Sequence, residues 1–564
     1  MFILLLFVIG QSKLLKDFCK HDDFRRKLGE SRTLSDYPRE SGWDKIRIAV
    51  DWSNISSSSK SKYKDYLESA INYYSNSLKV HRISSPITPQ SYDFLACTDK
   101  ISSFEGISLE ADYVVLMLEE YTTDAEYVAY AGACSNDLNT NQPVFGVISM
   151  NTAYTEDYNE TTLVGVFTHE FTHALGFSVS SMPYWLKSDG TMYGYDAFYQ
   201  DQNVRGTNAT YLITPKVVEK TRETFGCDSL PGLELETQGG DGTAFSHWNA
   251  RIVYNELMNP QVVFADFIYS DLTLAALEDS SWYLPDYSYA QPLLWGADKG
   301  CSFHSEKCIV NEEPEFSEFC TDTTASSLCT FDYINKGLCG LYQFNSEIPS
   351  EYSYFSDDYT GGDPFVDYCP IVEASQSCRV PGCGDLDLGE EFGDNSRCIE
   401  GTYGLSKKYS ATHAACHNVE CSNGKVVIYV GNENVTCINT GEWISVPGYY
   451  GKLKCPDNDI ICADSPCLKN CYGGKCVNGD CLDNSMNEYS DYDYCNDDSG
   501  NDNGDDNGDD NGDDNGDDNG DDNGDDSGND DSGNDDSGND DNGSGSSESL
   551  LISFAMTSLA IYLF

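Results

Sequence analysis

Two histidines one helical turn apart constrain this chain more than any other feature. They bracket the pentapeptide His169-Glu170-Phe171-Thr172-His173, set in the apolar run from Leu163 to Phe177. On an α-helix, residues i and i+4 share a face, so both imidazoles aim at one point. Buried rings so placed must either be satisfied by hydrogen bonds or share an ion. Zinc suits the point, because it takes neutral histidine nitrogens at roughly 2.0–2.1 Å. Glu170 lies beside the first histidine, where a carboxylate reaches a metal-bound water and acts as general base. With only 8 histidines in 564 residues, the pattern rarely arises by chance, which favours the metal. Leu163, Val164, Val166 and Phe167 predict a buried helix, and Gly176 predicts its left-handed stop.

A catalytic zinc keeps three protein ligands and one open position. The short metzincin spacing, His-Glu-x-x-His-x-x-Gly-x-x-His, needs a histidine at 179, where this chain has Val179. The remaining downstream imidazoles are His247, His304, His413 and His417, and a carboxylate ligand could instead come from Glu219 or Glu223. His247 is favoured on two grounds. It follows the small-residue loop Gly239–Ser246, able to swing a side chain inward, and it precedes Glu256-Leu-Met-Asn-Pro260, a tight apolar turn whose Met258 can floor a metal.

These residues resemble the leishmanolysin family of surface metallopeptidases, a metzincin branch with a long insertion between the motif glycine and the third histidine. Matching pieces run through most of the chain: Ile46–Val50, Pro143–Ile148, His169–Ser178, Ser246–Trp248, Glu256–Pro260, Ala275–Asp279, Trp295-Gly296, Gly300-Cys301, Asp367–Pro370 and Ser396–Cys398. The resemblance makes His169, His173 and His247 the ligands of one Zn²⁺, Glu170 the base and Met258 the Met-turn residue. It also makes Cys19, in Phe18-Cys19-Lys20-His21-Asp22, similar to a cysteine switch, whose thiolate would occupy the open zinc position. The cysteine count agrees, since removing Cys19 from 23 leaves an even number. An intermolecular bridge is the other use for an odd thiol.

At this length the chain needs several domains. Its net charge of −59 argues against a nucleic-acid partner, which requires clustered Lys and Arg. Cysteine density implies an oxidising compartment and disulfide-stapled modules. Residues 1–12 read as a signal peptide, because Phe2–Gly10 is too short to span a bilayer, and 13–41 as a propeptide. Residues 42–180 alternate strand and helix signals, with strands at Lys45–Asp51, Asp112–Leu118 and Val144–Met150 and a helix at Tyr63–Leu78. They form a metzincin-like α/β catalytic subdomain, followed by a central lobe at 181–300 carrying His247 and the Met-turn. A cleft between these lobes would admit an extended peptide.

The overall class is therefore α+β and multidomain. Residues 301–454 predict a disulfide-rich, mainly β or irregular module. In 455–482 the six cysteines Cys455, Cys462, Cys467, Cys471, Cys476 and Cys481 look like an EGF-like module with three internal bridges, a Cys₄ zinc site being the rival. The Asn-Gly-Asp-Asp repeats within 483–543 cannot build a core and predict a disordered acidic stalk rather than a calcium site. The apolar tail Leu550–Phe564 makes 544–564 a GPI-attachment signal, with a tail-anchored helix as alternative. Sequons begin at Asn54, Asn159, Asn208 and Asn434. The whole predicts a monomeric zinc endopeptidase acting on proteins or peptides at the extracellular face of the plasma membrane, with a secreted form possible. The competing reading is a catalytically silent, GPI-anchored adhesion or coat protein.

Overall fold

The computed structural model describes residues 33–462, apart from 124–126, 156–157, 239–242, 264–266, 381 and 423–424, together with the short strands Lys475–Val477 and Asp480–Leu482. The expected signal segment, Cys19, acidic stalk and anchor signal lie outside the described residues.

Strands β1 (Thr33–Ser35), β2 (Arg39–Lys45), β3 (Ile48–Asn54), β4 (Leu78–Ile83), β5 (Tyr113–Glu120), β6 (Ala129–Asp137) and β7 (Pro143–Asn151) accompany helices α1 (Ser57–Ser77) and α2 (Glu160–Ala174). The main sheet has the order β1-β6-β7-β5-β3. Strands β3, β5 and β7 run parallel, while β6 is antiparallel to β7. The strands and helix expected at 45–51, 112–118, 144–150 and 63–78 appear as β3, β5, β7 and α1, with ends shifted by a few residues. Strand β6 was not expected. Its sequence, Ala-Tyr-Ala-Gly-Ala-Cys-Ser-Asn-Asp, lacks β-branched residues, so packing rather than propensity makes it a strand. Residues 33–41, expected in the propeptide, are woven into the fold, β1 pairing with β6 and β2 with β4.

The central strands read as continuous apolar runs because both faces are covered. Along β5, Tyr113, Val115 and Met117 face α1 and α2, whereas Val114, Leu116 and Leu118 join a second cluster with Phe94, Phe145 and the Cys97–Cys134 disulfide. Helix α1 is capped by the Ser56 hydroxyl, which accepts from Ser59 N at 3.1 Å. It buries Tyr63, Leu67, Ala70, Ile71 and Tyr74 at helical spacing against this face.

The main core does not stop at the boundary expected near residue 300. Trp185, Trp248, Trp282 and Trp295 extend it, and Phe303, Phe319, Val366 and Ile371 belong to the same cluster. The reason is a set of buried polar and covalent ties. Arg205 pairs with Glu234 and Asp367 and donates to His304 O at 2.6 Å. Arg251 donates to Phe303 O and Glu306 O. Disulfides join Cys227 to Cys301 and Cys308 to Cys369.

A separate core begins near Leu388, inside an antiparallel sheet of Glu433–Cys437, Lys425–Val430, His413–Ser422, Ser396–Gly401, Leu453–Lys454 and Trp443–Ile444, in that order. Cys455 and Cys462 staple to this sheet through Cys437 and Cys421. The six cysteines of 455–482 therefore do not bridge only one another. The first two close loops of the preceding module, whose sheet edge brings their partners within reach. Half of that segment lies outside the described residues.

Candidate metal centre

Helix α2 starts at Asn159, whose side chain accepts from Thr162 N at 2.9 Å, and is buried without a break from Leu163 to Ala174. A buried helix end leaves carbonyls that need donors. Three aromatic side chains supply them. The Tyr113 hydroxyl donates to Ala174 O at 2.9 Å, the Tyr283 hydroxyl to Leu175 O at 2.9 Å, and Trp185 Nε1 to Gly176 O at 3.2 Å. Tyr113 reaches its carbonyl by crossing Gly146, where a Cβ would meet its hydroxyl at 1.9 Å. Gly176 adopts φ +110°, and the reversal there returns the Phe177 carbonyl over the helix.

That carbonyl accepts from His173 Nδ1 at 2.7 Å. His169 Nδ1 donates to Leu257 O at 2.7 Å, and His247 Nδ1 to Thr243 O at 2.8 Å. These bonds place the ring hydrogen of each neutral imidazole on Nδ1, leaving a lone pair on every Nε2. The three Nε2 atoms converge, with separations of 3.0 Å for His169–His173, 3.2 Å for His173–His247 and 3.2 Å for His169–His247. All three rings are buried. Burial also pushes His247 down to about 4, so it is neutral at ordinary pH.

With the ring hydrogens on Nδ1, three lone pairs at such distances repel. A cation removes the repulsion. A tetrahedral ion bound at 2.0–2.1 Å holds its ligand atoms roughly 3.3 Å apart, so the nitrogen triangle fits. The three histidines can hold a metal ion, and no other group of three or more such ligands occurs among the described residues.

The third histidine arrives because β10 (Leu233–Leu235, following β8, Phe198–Val204, and β9, Thr207–Leu212) guides the segment that carries it. Glu236 N donates to His247 O at 2.9 Å and Asn249 N to Glu234 O at 3.0 Å. The Ser246 hydroxyl accepts from Val179 N at 3.0 Å, tying this segment to the chain just past α2. Met258 is fully buried in the following turn. Glu170 is fully buried on α2 beside His169. The other sequence candidates lie elsewhere. Glu219 and Glu223 pair with Lys216 and Lys220 on the outer face of α3 (Pro215–Phe225). His304 packs edge-on to Phe225, and His413 and His417 belong to the second sheet, beside Tyr403.

A family model described as leishmanolysin, peptidase M8, matches residues 56–497. The chain belongs to the leishmanolysin family. It is 30% identical over 435 residues to a leishmanolysin-like peptidase of Caenorhabditis briggsae, covering 61% of this chain and 64% of the relative. It is 31% identical over 374 residues to a leishmanolysin homolog of Crithidia fasciculata, covering 62% and 55%. It is 30% identical over 397 residues to a leishmanolysin of Leishmania chagasi, covering 66% and 63%. The chain thus spans less than two-thirds of each relative's length. In this leishmanolysin-family chain, the second layer around the histidines was invisible to sequence reasoning. Leu257, Phe177 and Thr243 act through backbone carbonyls, which leave no mark on residue identity. Glu256 did leave one, as the single charged residue of the turn Glu256–Pro260.

Proposed function

We propose that this chain is a zinc-dependent endopeptidase, with His169, His173 and His247 as the metal ligands and Glu170 as the general base. One observation carries the reading: three proton-free imidazole nitrogens meet at 3.0–3.2 Å on the face of a helix that also bears a buried carboxylate. A zinc ion held there would polarise a water, lowering its pKa toward about 7, and would stabilise charge on a carbonyl oxygen. Glu170 accepts the proton of the attacking water and returns it to the departing amine. Burial of Glu170 keeps that proton from bulk solvent. The Nδ1–carbonyl bonds orient the rings and hold them in the ligating tautomer. The metzincin class is supported by His-Glu-x-x-His, a distant third histidine and a methionine turn beneath.

Protein or peptide substrates, attachment to the outer cell surface through a GPI anchor and restraint by Cys19 complete the proposal; their support is the sequence. The test is casein hydrolysis by the processed protein, with and without a zinc chelator, beside Glu170→Ala. We expect chelation to abolish hydrolysis, and Glu170→Ala to retain its metal and lose nearly all turnover. Substantial proteolysis by metal-loaded Glu170→Ala would overturn the role of that residue.

A further inference from the structure

The turn beneath the histidines contains a carboxylate that the mechanism above leaves unused. Glu256 is fully buried. Its Oε2 accepts from Met258 N at 2.6 Å, while its Oε1 accepts from the hydroxyls of Ser270 at 2.6 Å and Thr273 at 2.5 Å. Ser270 caps α5 (Asp271–Asp279, after the short α4, Ala250–Val253), and Thr273 lies in its first turn. A buried carboxylate is costly unless fully hydrogen-bonded, so an apolar side chain would serve mere packing better.

The bonds lead to two of the three ligands. Leu257, whose carbonyl accepts from His169 Nδ1, lies between Glu256 and the Met258 amide that Glu256 grips. Trp248, the residue after His247, donates its backbone N to Met258 O at 3.1 Å and its indole Nε1 to the Thr273 hydroxyl at 3.0 Å. That hydroxyl in turn donates to Glu256. One carboxylate therefore stands behind the carbonyl that orients His169 and behind both anchors of the residue next to His247.

We propose that Glu256 is a positioning residue of the metal centre, locking the Leu257–Met258 peptide and, through Thr273 and Trp248, the backbone that presents His247. The proposal rests on the reading of His169, His173 and His247 as metal ligands. It accounts for a buried acid in an apolar turn, and it predicts that metal affinity depends on a residue that never touches the metal.

The experiment measures zinc affinity of the full chain by competition with a chromophoric chelator, together with kcat/KM on a peptide, for wild type, Glu256→Gln, Thr273→Val and Asp279→Asn. A carboxamide cannot accept from donors on both sides, so Glu256→Gln should lower zinc affinity about 10–100-fold, the range for losing an outer-shell partner. Thr273→Val, losing one donor and the indole acceptor, should show a smaller fall in the same direction and serves if Glu256→Gln does not fold. Asp279 is the comparator. It is another buried carboxylate, but it accepts from Lys216 N and Val217 N at the start of α3. Asp279→Asn should reduce stability and leave zinc affinity unchanged. Wild-type affinity in both folded Glu256→Gln and Thr273→Val, or an equal loss in Asp279→Asn, would overturn the positioning role. A wild-type protein that binds no zinc would instead overturn the ligand assignment beneath it.

Discussion

Replacing Gly176 by alanine tests whether the reversal after α2 builds the centre. Two costs add at this position. The residue sits at φ +110°, and its new Cβ would lie 2.7 Å from Trp282 Cζ3 and 3.5 Å from Pro143 Cγ. Holding a non-glycine residue at strained positive φ costs about 1–3 kcal/mol. Forcing a methyl against a packed ring costs roughly another 1–3 kcal/mol. Trp282 cannot move away freely, because its Nε1 donates to Thr140 O at 2.8 Å and its backbone N to the Ser280 hydroxyl at 3.0 Å. Gly190→Ala separates the terms, since that glycine has φ +82° and nothing within 4 Å of an added Cβ. Urea unfolding should therefore show Gly176→Ala less stable than wild type by about 2–6 kcal/mol, and less stable than Gly190→Ala by about 1–3 kcal/mol. Zinc affinity should fall only in Gly176→Ala, whose Phe177 carbonyl orients His173. If the two alanine variants match in stability and both bind zinc like wild type, the reasoning is wrong.

Tyr113→Phe should destabilise by about 1–3 kcal/mol, because it leaves the buried Ala174 carbonyl without its donor; a loss below about 0.5 kcal/mol in the same urea assay would show that the cap is dispensable. His417 offers a test by pH. Burial pushes its imidazole down to about 3, beside the Tyr403 hydroxyl at 2.5 Å. The folded state thus refuses a proton that the unfolded state takes below about 6.5, so stability is intact above that pH and is lost as pH falls toward 3. Between pH 7 and pH 5 the stability advantage of wild type over His417→Gln should shrink by about 2 kcal/mol. An advantage independent of pH would mean that the ring titrates normally.

The motif helix and the parallel strands were legible because their apolar runs and histidine spacing are local properties of the chain. The third histidine of the cluster was legible too, as the better of several candidates. The small-residue loop before His247 and the tight turn after it rank it above Glu219, and β10 with the Trp248 backbone supply the path that brings it in. Strand β6 was hidden because small residues beside β7 leave no propensity signal. The carbonyl caps from Tyr113 and Tyr283 cross 61 and 108 residues of chain, so no local window of sequence contains donor and acceptor together. Cysteine spacing misled for the same reason. Cys455 and Cys462 sit nearest in sequence to later cysteines, yet the sheet delivers Cys437 and Cys421 to them.

X-ray absorption at the zinc edge of the processed protein, combined with its metal content, tests the central claim most directly. The account predicts one zinc per chain with three imidazole nitrogens at about 2.0–2.1 Å and one further light atom, and loss of that metal in His247→Ala. A sulfur-containing shell in the processed protein, or undiminished zinc in His247→Ala, would contradict it.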